Sequence, residues 1–439
     1  MGDGGTAGSG LLAPYRVLEI YGPEAALYGK VFADLGARVT KVEPPGGDPS
    51  RGLAPFALYP ARPGQGSHAV GWPSPGEGPH SGGSLFWLAY NTGKESITLD
   101  ITRGEGQALL KGLAARADFL AEAFPPGYLD SLGLGYEALA EVNPRLIMAS
   151  ITPFGQEGPY ARYKGPDLVL WALGGYMYLT GEAQGPPLRI SLPPQSYLHA
   201  AAMAVVGSLL AHFHRLRTGR GQHVDVAARE VFPWMAAHGL AHWELERVNL
   251  RREGGWRQVG SASRVRLIYP CRDGYIAWYV VAGPVGARSL ARLVAWMDEE
   301  GMAPPFLREV CWEEMDFWQA PTQVIEEILE PFAAFFRTKT KAELLEAALR
   351  EDHMLAPVQT VQEILRDPQL AARGFWATLE DPNLGQAIPY PGGACRLSGS
   401  AWGPRGPAPA IGQHNREVYQ GELGLSPTEV AALAEVGVI

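Results

Sequence analysis

Short strand-like runs alternate with segments of helical periodicity through the first two hundred residues, and this alternation constrains the fold more than any other feature. Residues 16–20 (RVLEI) predict a strand, residues 24–35 an amphipathic helix, and residues 38–42 (RVTKV) a second strand. The pattern then continues to residue 151. Such alternation is typical of a mostly parallel sheet covered by helices, because parallel strands need crossover connections.

The remainder of the chain carries clear local signals. Residues 56–83 are rich in Pro and Gly and predict a surface loop. The Ala-rich stretch at residues 198–211 is shorter than the ~20 residues of a membrane span, so it predicts a buried helix and no membrane contact. Asp273-Gly274 predicts a hairpin turn. Capping boxes predict three helix starts, at Thr340 with Glu343, Thr360 with Glu363, and Ser426 with Glu429.

Charge and cysteine content exclude several classes of protein. The 439 residues include 37 basic and 46 acidic side chains, a net charge of −9. No basic stripe is present that could neutralise a run of phosphates, so we expect no nucleic-acid partner. Cys271, Cys311 and Cys395 form no CxxC pair, which argues against a disulfide framework or a zinc finger and favours a reducing, cytoplasmic location.

General catalytic motifs are absent: the chain has no GxGxxG, Walker, GxSxG or HExxH sequence. His238 and His242 have the i, i+4 spacing of two zinc ligands, with Glu246 one turn further. We favour two histidines on an interhelical face, because no third ligand is indicated. We therefore expect no metal. The Gly-rich run at residues 132–139 favours a turn over a phosphate loop.

A series of longer segments resembles the family III CoA-transferases, which include formyl-CoA transferase, carnitine CoA-transferase and the α-methylacyl-CoA racemases. The matching segments occur in family order from residue 17 to the end of the chain: VLEIYGPEAALYGKVFADLGARVTKVEPPGGDPSRG, NTGKESITLD, the stretch from AEAFPPGYLD to FGQEGPY, KGPDLVLWALGGYMYLTGEAQGPP, TGRGQHVDVA, CRDGYIA and GQHNREVYQGELGLSPTEVAAL.

The resemblance implies an α/β fold with a Rossmann-like large domain, a smaller α/β domain and an interlocked dimer. The large domain would comprise residues 1–225 and 336–439, the two ends of the chain. The small domain with its linker would comprise residues 226–335, after a hinge near residues 225–255.

The family's chemistry is also implied by the resemblance. Its transferases move CoA between carboxylic acids through an aspartate that attacks an acyl-CoA and is then itself thioesterified by CoA. A carboxylate nucleophile conserves the energy of the thioester by dividing one transfer into covalent steps. The racemases instead exchange the α-proton with a His and an Asp. Coenzyme A, delivered as acyl-CoA, and a carboxylic acid are therefore the expected substrates.

The expected catalytic aspartate is missing from this sequence. Its family position falls on Ser196 or Tyr197. Residues 183–224 contain no Asp or Glu at all. The racemase histidine position is Pro166. Asp167 matches a family acidic position, and we weigh it both as a replacement nucleophile and as a carboxylate that caps or braces the following helix.

Other family positions are partly retained. Leu99, Phe124 and Lys164 match family contacts to CoA, whereas the Asn that usually precedes the Phe is Ala123 and a frequent Arg is Ser131. Three functions follow: a family III CoA-transferase, a non-catalytic subunit paired with a homologous chain that supplies the aspartate, or a divergent acyl-CoA isomerase or racemase. The assembly is correspondingly a homodimer or a heterodimer.

Overall fold

The computed structural model describes residues 10–57, 83–189, 194–259, 263–317, 319–382 and 385–439. Contacts divide the chain into two compact units. The larger unit draws on residues 1–176, 190–240 and 371–439, and the smaller on residues 177–189 and 241–370. Most of the predicted Pro/Gly-rich loop at residues 56–83 lies outside the described residues.

A six-stranded parallel sheet forms the centre of the larger unit. Its strands are β1 (Arg16–Ile20), β2 (Arg38–Glu43), β3 (Glu95–Thr98), β4 (Phe119–Glu122), β5 (Ile147–Thr152) and β6 (His223–Ala227). The strand order is β3-β2-β1-β4-β5-β6, and every pair is parallel. The predicted α/β class and parallel sheet are confirmed. Because the order reverses between β1 and β4, a crevice is expected at their carboxyl ends.

Helices connect these strands and continue beyond them. From residue 26 to residue 246 they are α1 (Ala26–Asp34), α2 (Leu85–Tyr90), α3 (Gly104–Ala114), α4 (Tyr128–Ser131), α5 (Tyr136–Val142), α6 (Asp167–Leu173), α7 (Tyr176–Leu179), α8 (Gln195–Thr218), α9 (Ala228–Met235) and α10 (Ala237–Glu246). A 3-10 turn covers Pro49–Gly52. The predicted helix at residues 24–35 starts later than expected, at Ala26, so Glu24 lies in the loop after β1.

The 24-residue α8 has two different faces. Its buried residues, which include Ala201, Ala204 and Ser208, pack against α1, β5 and β6. On the opposite side Leu210 is 66% exposed and Phe213 62% exposed. The prediction of a buried helix is therefore correct for one face only. By length and composition this helix could cross a membrane, and half of its most apolar window is buried inside the protein.

The C-terminal segment completes the larger unit. It contains β12 (Trp376–Asp381), β13 (Gln386–Pro391), a π-helical turn (Glu417–Glu422) and α17 (Pro427–Glu435). The short α16 (Pro368–Ala372) spans the boundary between the two units in sequence. Val418, Tyr419 and Val438 are fully buried in the core beside β1 to β4. The Tyr419 hydroxyl donates to the Thr98 carbonyl at 2.5 Å.

The smaller unit combines short antiparallel strands with helices. Its elements are β7 (Trp256–Val259), β8 (Ser263–Arg266), β9 (Ile268–Cys271), β10 (Gly274–Trp278), α11 (Ala287–Glu299), α12 (Pro305–Glu309), α13 (Thr322–Thr338), α14 (Lys341–Glu351), β11 (Leu355–Pro357) and α15 (Val361–Ile364). The hairpin at Asp273-Gly274 is confirmed as the β9–β10 turn. All three predicted capping boxes are present, at the starts of α14, α15 and α17. Trp278, Phe332 and Phe336 form the centre of its core.

Candidate active site

A cavity of about 680 Å³ lies in the larger unit at the carboxyl ends of β1, β4 and β5. The loop after β1 contributes Pro23 and Glu24, and the loop after β4 contributes Ala123 to Pro126. Residues 161–167 form another wall. This is the crevice that the reversal of strand order predicts, because the connections of β1 and β4 diverge to opposite faces of the sheet.

A buried ion-pair network holds the loop after β1. Gly22 has a φ of +125°, which favours glycine, and its N–H donates to Asp48 Oδ2 at 2.8 Å. Lys41 Nζ lies 3.1 Å from Asp48 and 2.7 Å from Glu19, and all three side chains are fully buried. Burial opposes ionisation of Asp48, but the Lys41 ammonium and hydrogen bonds from Ser50 and Gly22 lower its pKa to about 2. The loop is therefore fixed in place.

The pKa of Glu24, in the loop after β1, is shifted in the opposite direction from that of Asp48. Burial raises its pKa, and the negative charge of Asp48 adds to this effect, while its own backbone N–H and Lys41 oppose it. Within the described residues the Glu24 carboxylate makes no ion pair. A Cβ added at Gly22 would lie 3.0 Å from Glu24 Oε2. The absence of a side chain at position 22 thus makes room for the Glu24 carboxylate.

Asp167 and Ser196 are in direct contact. Asp167 is the first residue of α6, after Pro166 at the N-cap. Its Oδ1 accepts from the Ser196 N–H at 2.8 Å and from the Ser196 hydroxyl at 2.5 Å. Since Ser196 is in the first turn of α8, Asp167 satisfies a backbone donor that the helix itself leaves unpaired. Asp167 therefore braces the start of α8, and its role as nucleophile stays a prediction.

Two side chains of α8 stand next to Asp167. The Tyr197 hydroxyl donates to the Gly165 carbonyl at 2.6 Å. Burial raises the pKa of Tyr197, and the charges of Glu24 and Asp167 raise it further, so the phenol stays protonated. Burial lowers the pKa of His199, with Asp167 acting in the opposite direction. His199 Nδ1 has no hydrogen-bond partner among the described residues.

The structure brings three of the four predicted site residues together. Phe124, Lys164 and Asp167 all line the cavity. Lys164 is exposed, and the Phe124 ring packs edge-on against Tyr21 at a centroid distance of 5.0 Å. Leu99 is not part of this wall: it has no exposed surface and packs in the core with Leu18 and Ile97. Leu99 therefore has no exposed surface that could make the predicted contact with CoA.

The other motifs lie elsewhere. The run at residues 132–139 forms a turn leading into α5 and borders a separate cavity of about 240 Å³. There burial raises the pKa of Glu122 to about 7, and the Ser150 hydroxyl lies 2.8 Å from His223 Nε2. His242 lies 3.4 Å from Glu246. No cluster of three His, Cys, Asp or Glu side chains suited to a metal ion is found in the part of the chain that the structure describes.

Sequence reasoning missed Glu24 as a site residue. The helix predicted at residues 24–35 included the glutamate, whereas in the structure it precedes α1. The signal that could have found it is its position directly after a parallel strand beside the reversal of strand order, since ligand-binding residues concentrate there. That reversal is visible only once the strands are ordered in space.

The protein is an α/β protein with a Rossmann-like parallel sheet and a crevice that contains carboxylates at its switch point, the place where ligands bind in open α/β sheets. The chain belongs to CoA-transferase family III: residues 13–415 match the profile of that family. The family and the enzyme class predicted from the sequence are confirmed.

Relatives and solved structures agree with this assignment. The chain is 35% identical over 426 residues to succinyl-CoA:(R)-benzylsuccinate CoA-transferase subunit BbsE of Thauera aromatica, covering 97% of each chain. It is 34% identical over 429 residues to succinyl-CoA–D-citramalate CoA-transferase of Chloroflexus aurantiacus, again covering 97% of each. The crystal structure of a CaiB/BaiF family protein from Brucella suis is similar with a TM-score of 0.76 and 25% identity, covering 94% of this chain and 100% of that one.

Proposed function

We propose that this protein transfers CoA from an acyl-CoA to a free carboxylic acid in the crevice at the ends of β1 and β4. The observation that carries the proposal is the cavity itself, which combines two carboxylates, Glu24 and Asp167, with the cation of Lys164. A carboxylate can accept the acyl group, and an exposed cation suits the phosphates of CoA. The names of the relatives favour succinyl-CoA as the donor.

Phe124 and Lys164 are the proposed contacts to CoA. The Phe124 ring is held between Tyr21 and Tyr128, at centroid distances of 5.0 and 4.9 Å, so it offers a fixed apolar surface. The nearby Arg162 is exposed at the same cavity and adds a second cation. These residues fit a ligand with an anionic and an apolar part, as an acyl-CoA is.

A purified-chain exchange assay tests the proposal. The chain is incubated with succinyl-CoA and deuterated succinate, and the label in succinyl-CoA is measured by mass spectrometry. We expect label transfer that depends on the protein and requires no substrate other than succinyl-CoA and succinate. Lys164→Ala should raise the KM for succinyl-CoA, and Arg350→Ala, a charge removal on the smaller unit, serves as the matched control. Absence of any exchange with succinyl-CoA or a panel of other acyl-CoA and acid pairs would overturn the proposal.

A second candidate is a non-catalytic subunit whose homologous partner supplies the aspartate. Ser196 at the expected aspartate position favours it, and so does the similarity to a protein named as a subunit, BbsE. In that case the chain alone would be inactive, and exchange would appear only after co-expression with a homologous chain. The third function considered, an isomerase or racemase, gains no support, because Pro166 is the N-cap of α6 where a histidine would be needed.

We also propose that the working form is a dimer with a second family chain, identical or homologous. Val206, Leu210, Phe213 and Leu216 are 47–66% exposed and follow one another along one side of α8. An apolar helix face of this kind is typical of a surface that another chain covers.

All three cysteines are unpaired, which supports a reducing, cytoplasmic location.

A further inference from the structure

Of the two carboxylates in the crevice, Asp167 accepts hydrogen bonds from another residue, and Glu24 accepts none from any other described residue. Asp167 Oδ1 accepts both hydrogen bonds that Ser196 donates, and these bonds fix the first turn of α8. Conversion of Asp167 into an anhydride or a thioester would remove the negative charge that strengthens these two hydrogen bonds. In the described residues the Glu24 carboxylate has neither an ion-pair partner nor a hydrogen bond from another residue.

The surroundings of Glu24 also suit a reacting group. The Gly22 turn and the Asp48–Lys41 pair fix the backbone that carries it. Glu24, Asp167 and Tyr197 all line the same cavity. The cavity wall nearby is largely apolar, formed by Pro23, Phe124 and Pro153 among others. A partly desolvated carboxylate is more basic and a better nucleophile than one in water.

We propose that Glu24 is the catalytic carboxylate that takes the place of the aspartate missing at position 196 or 197. This inference rests on the proposed CoA-transfer activity. A Glu24 oxygen attacks the thioester carbonyl carbon, the C–S bond breaks, and CoA leaves as the thiolate with formation of a mixed anhydride. The thiolate then attacks the Glu24 acyl carbon, which releases the donor acid as its carboxylate and leaves a glutamyl-CoA thioester.

The second half of the reaction reverses these steps with the acceptor acid. Its carboxylate attacks the glutamyl thioester and releases the CoA thiolate, which then attacks the acceptor's acyl carbon. The new acyl-CoA forms and Glu24 is regenerated as a carboxylate. No water, oxidant or reductant is consumed, so the thioester energy is conserved throughout.

Peptide mapping of the covalent adduct tests the assignment. The chain is incubated with succinyl-CoA and quenched, with and without hydroxylamine, and then digested with trypsin. Glu24 lies in the peptide of residues 17–30, whereas Asp167 lies in that of residues 165–189. We expect a CoA adduct on residue 24 that hydroxylamine converts to a hydroxamate. An adduct on residues 165–189, or none during active turnover, would overturn the assignment.

Variants give an independent readout. Glu24→Gln keeps the size of the side chain and removes the nucleophile, so exchange should fall by roughly a thousand-fold or more, with an unchanged circular-dichroism spectrum. Glu141→Gln, an exposed glutamate on α5, is the matched control and should retain full exchange. The adduct on residue 24 should persist in Asp167→Asn. Exchange that survives in Glu24→Gln overturns the role of Glu24 alone, whereas a wild-type chain without exchange overturns the proposed function as well.

Discussion

Asp167 accepts two hydrogen bonds from Ser196, one from its backbone N–H at 2.8 Å and one from its hydroxyl at 2.5 Å. The residue at the expected nucleophile position is therefore a donor to the neighbouring carboxylate, and not itself an acid. The contact links the start of α6 to the start of α8. It explains why Asp167 has a structural role that does not depend on catalysis.

The first prediction concerns this contact. Ser196→Ala removes the hydroxyl bond but keeps the backbone bond, so it should lower the free energy of unfolding by about 1 kcal/mol. Asp167→Ala removes the one oxygen that accepts both bonds and should cost roughly 1–3 kcal/mol. Urea unfolding followed by circular dichroism measures both. Asp167→Asn, which keeps an acceptor oxygen, is the control, and an Asp167→Ala variant more stable than Ser196→Ala would contradict the assignment.

The second prediction is a pH dependence that arises from Glu122. Burial raises its pKa from 4.5 to about 7, although hydrogen bonds from Ser150 and the Phe124 N–H oppose the shift. The folded state then binds the Glu122 proton more tightly than the unfolded state does. The contribution of this proton to the free energy of unfolding is therefore complete below pH 4.5. It falls as pH rises and is lost above about pH 7. The loss is on the order of 3 kcal/mol.

Glu122→Gln isolates that contribution, because it keeps the acceptor oxygen and cannot ionise. Its stability relative to the wild type should increase between about pH 5 and about pH 8. Urea midpoints of both proteins across that range provide the measurement, and Glu141→Gln is an exposed control with no expected trend. A constant difference between Glu122→Gln and the wild type would show that Glu122 is already ionised in the folded protein.

The third prediction addresses the buried ion-pair network behind the site loop. Lys41 is fully buried between Glu19 and Asp48, and Lys41→Met would leave those two carboxylates without it. Breaking a buried pair from one side costs about 3–5 kcal/mol. Urea unfolding should detect this loss. Lys111→Met, on the partly exposed side of α3, should change stability by less than about 0.5 kcal/mol. Equal effects of the two substitutions would refute the network's contribution.

The fourth prediction concerns the end of the chain. Val438 is fully buried, and its carbonyl accepts from the Asp100 N–H at 2.7 Å. Val438→Ala should therefore lower stability by about 1–3 kcal/mol through lost apolar burial. Val436→Ala, at a position that is 53% exposed, is a matched control two residues away. Thermal unfolding of the two variants compares them directly, and similar melting temperatures would contradict the docking of this segment.

The fifth prediction concerns the exposed face of α8. If a second chain covers it, Leu210→Glu places a charge in that interface and should shift the protein toward monomer. Light scattering during gel filtration gives the mass of each species. Leu349→Glu alters an exposed leucine on α14 and should leave the mass unchanged. An α8 variant with the same mass as the wild type would exclude this face as the interface.

The sequence by itself determined the class of fold and the family. The periodicity around β1, α1 and β2 depends on neighbouring residues only, so their type could be read directly, as could the hairpin at Asp273-Gly274 and the three capping boxes. The family segments also singled out Phe124, Lys164 and Asp167, which line one cavity in the structure. Local patterns carried this information because local backbone geometry and hydrogen bonding produce these structures.

Tertiary structure alone decided which side chains meet. Asp167 and Ser196 are 29 residues apart in sequence, and their contact depends on how α6 and α8 pack. Glu24 lines the same cavity as Phe124 because β1 and β4 are neighbours in the sheet, although almost a hundred residues separate them. Leu99 was assigned to CoA from its motif, yet packing buries it completely. Long-range packing sets burial, and burial in turn sets the chemistry of each carboxyl group.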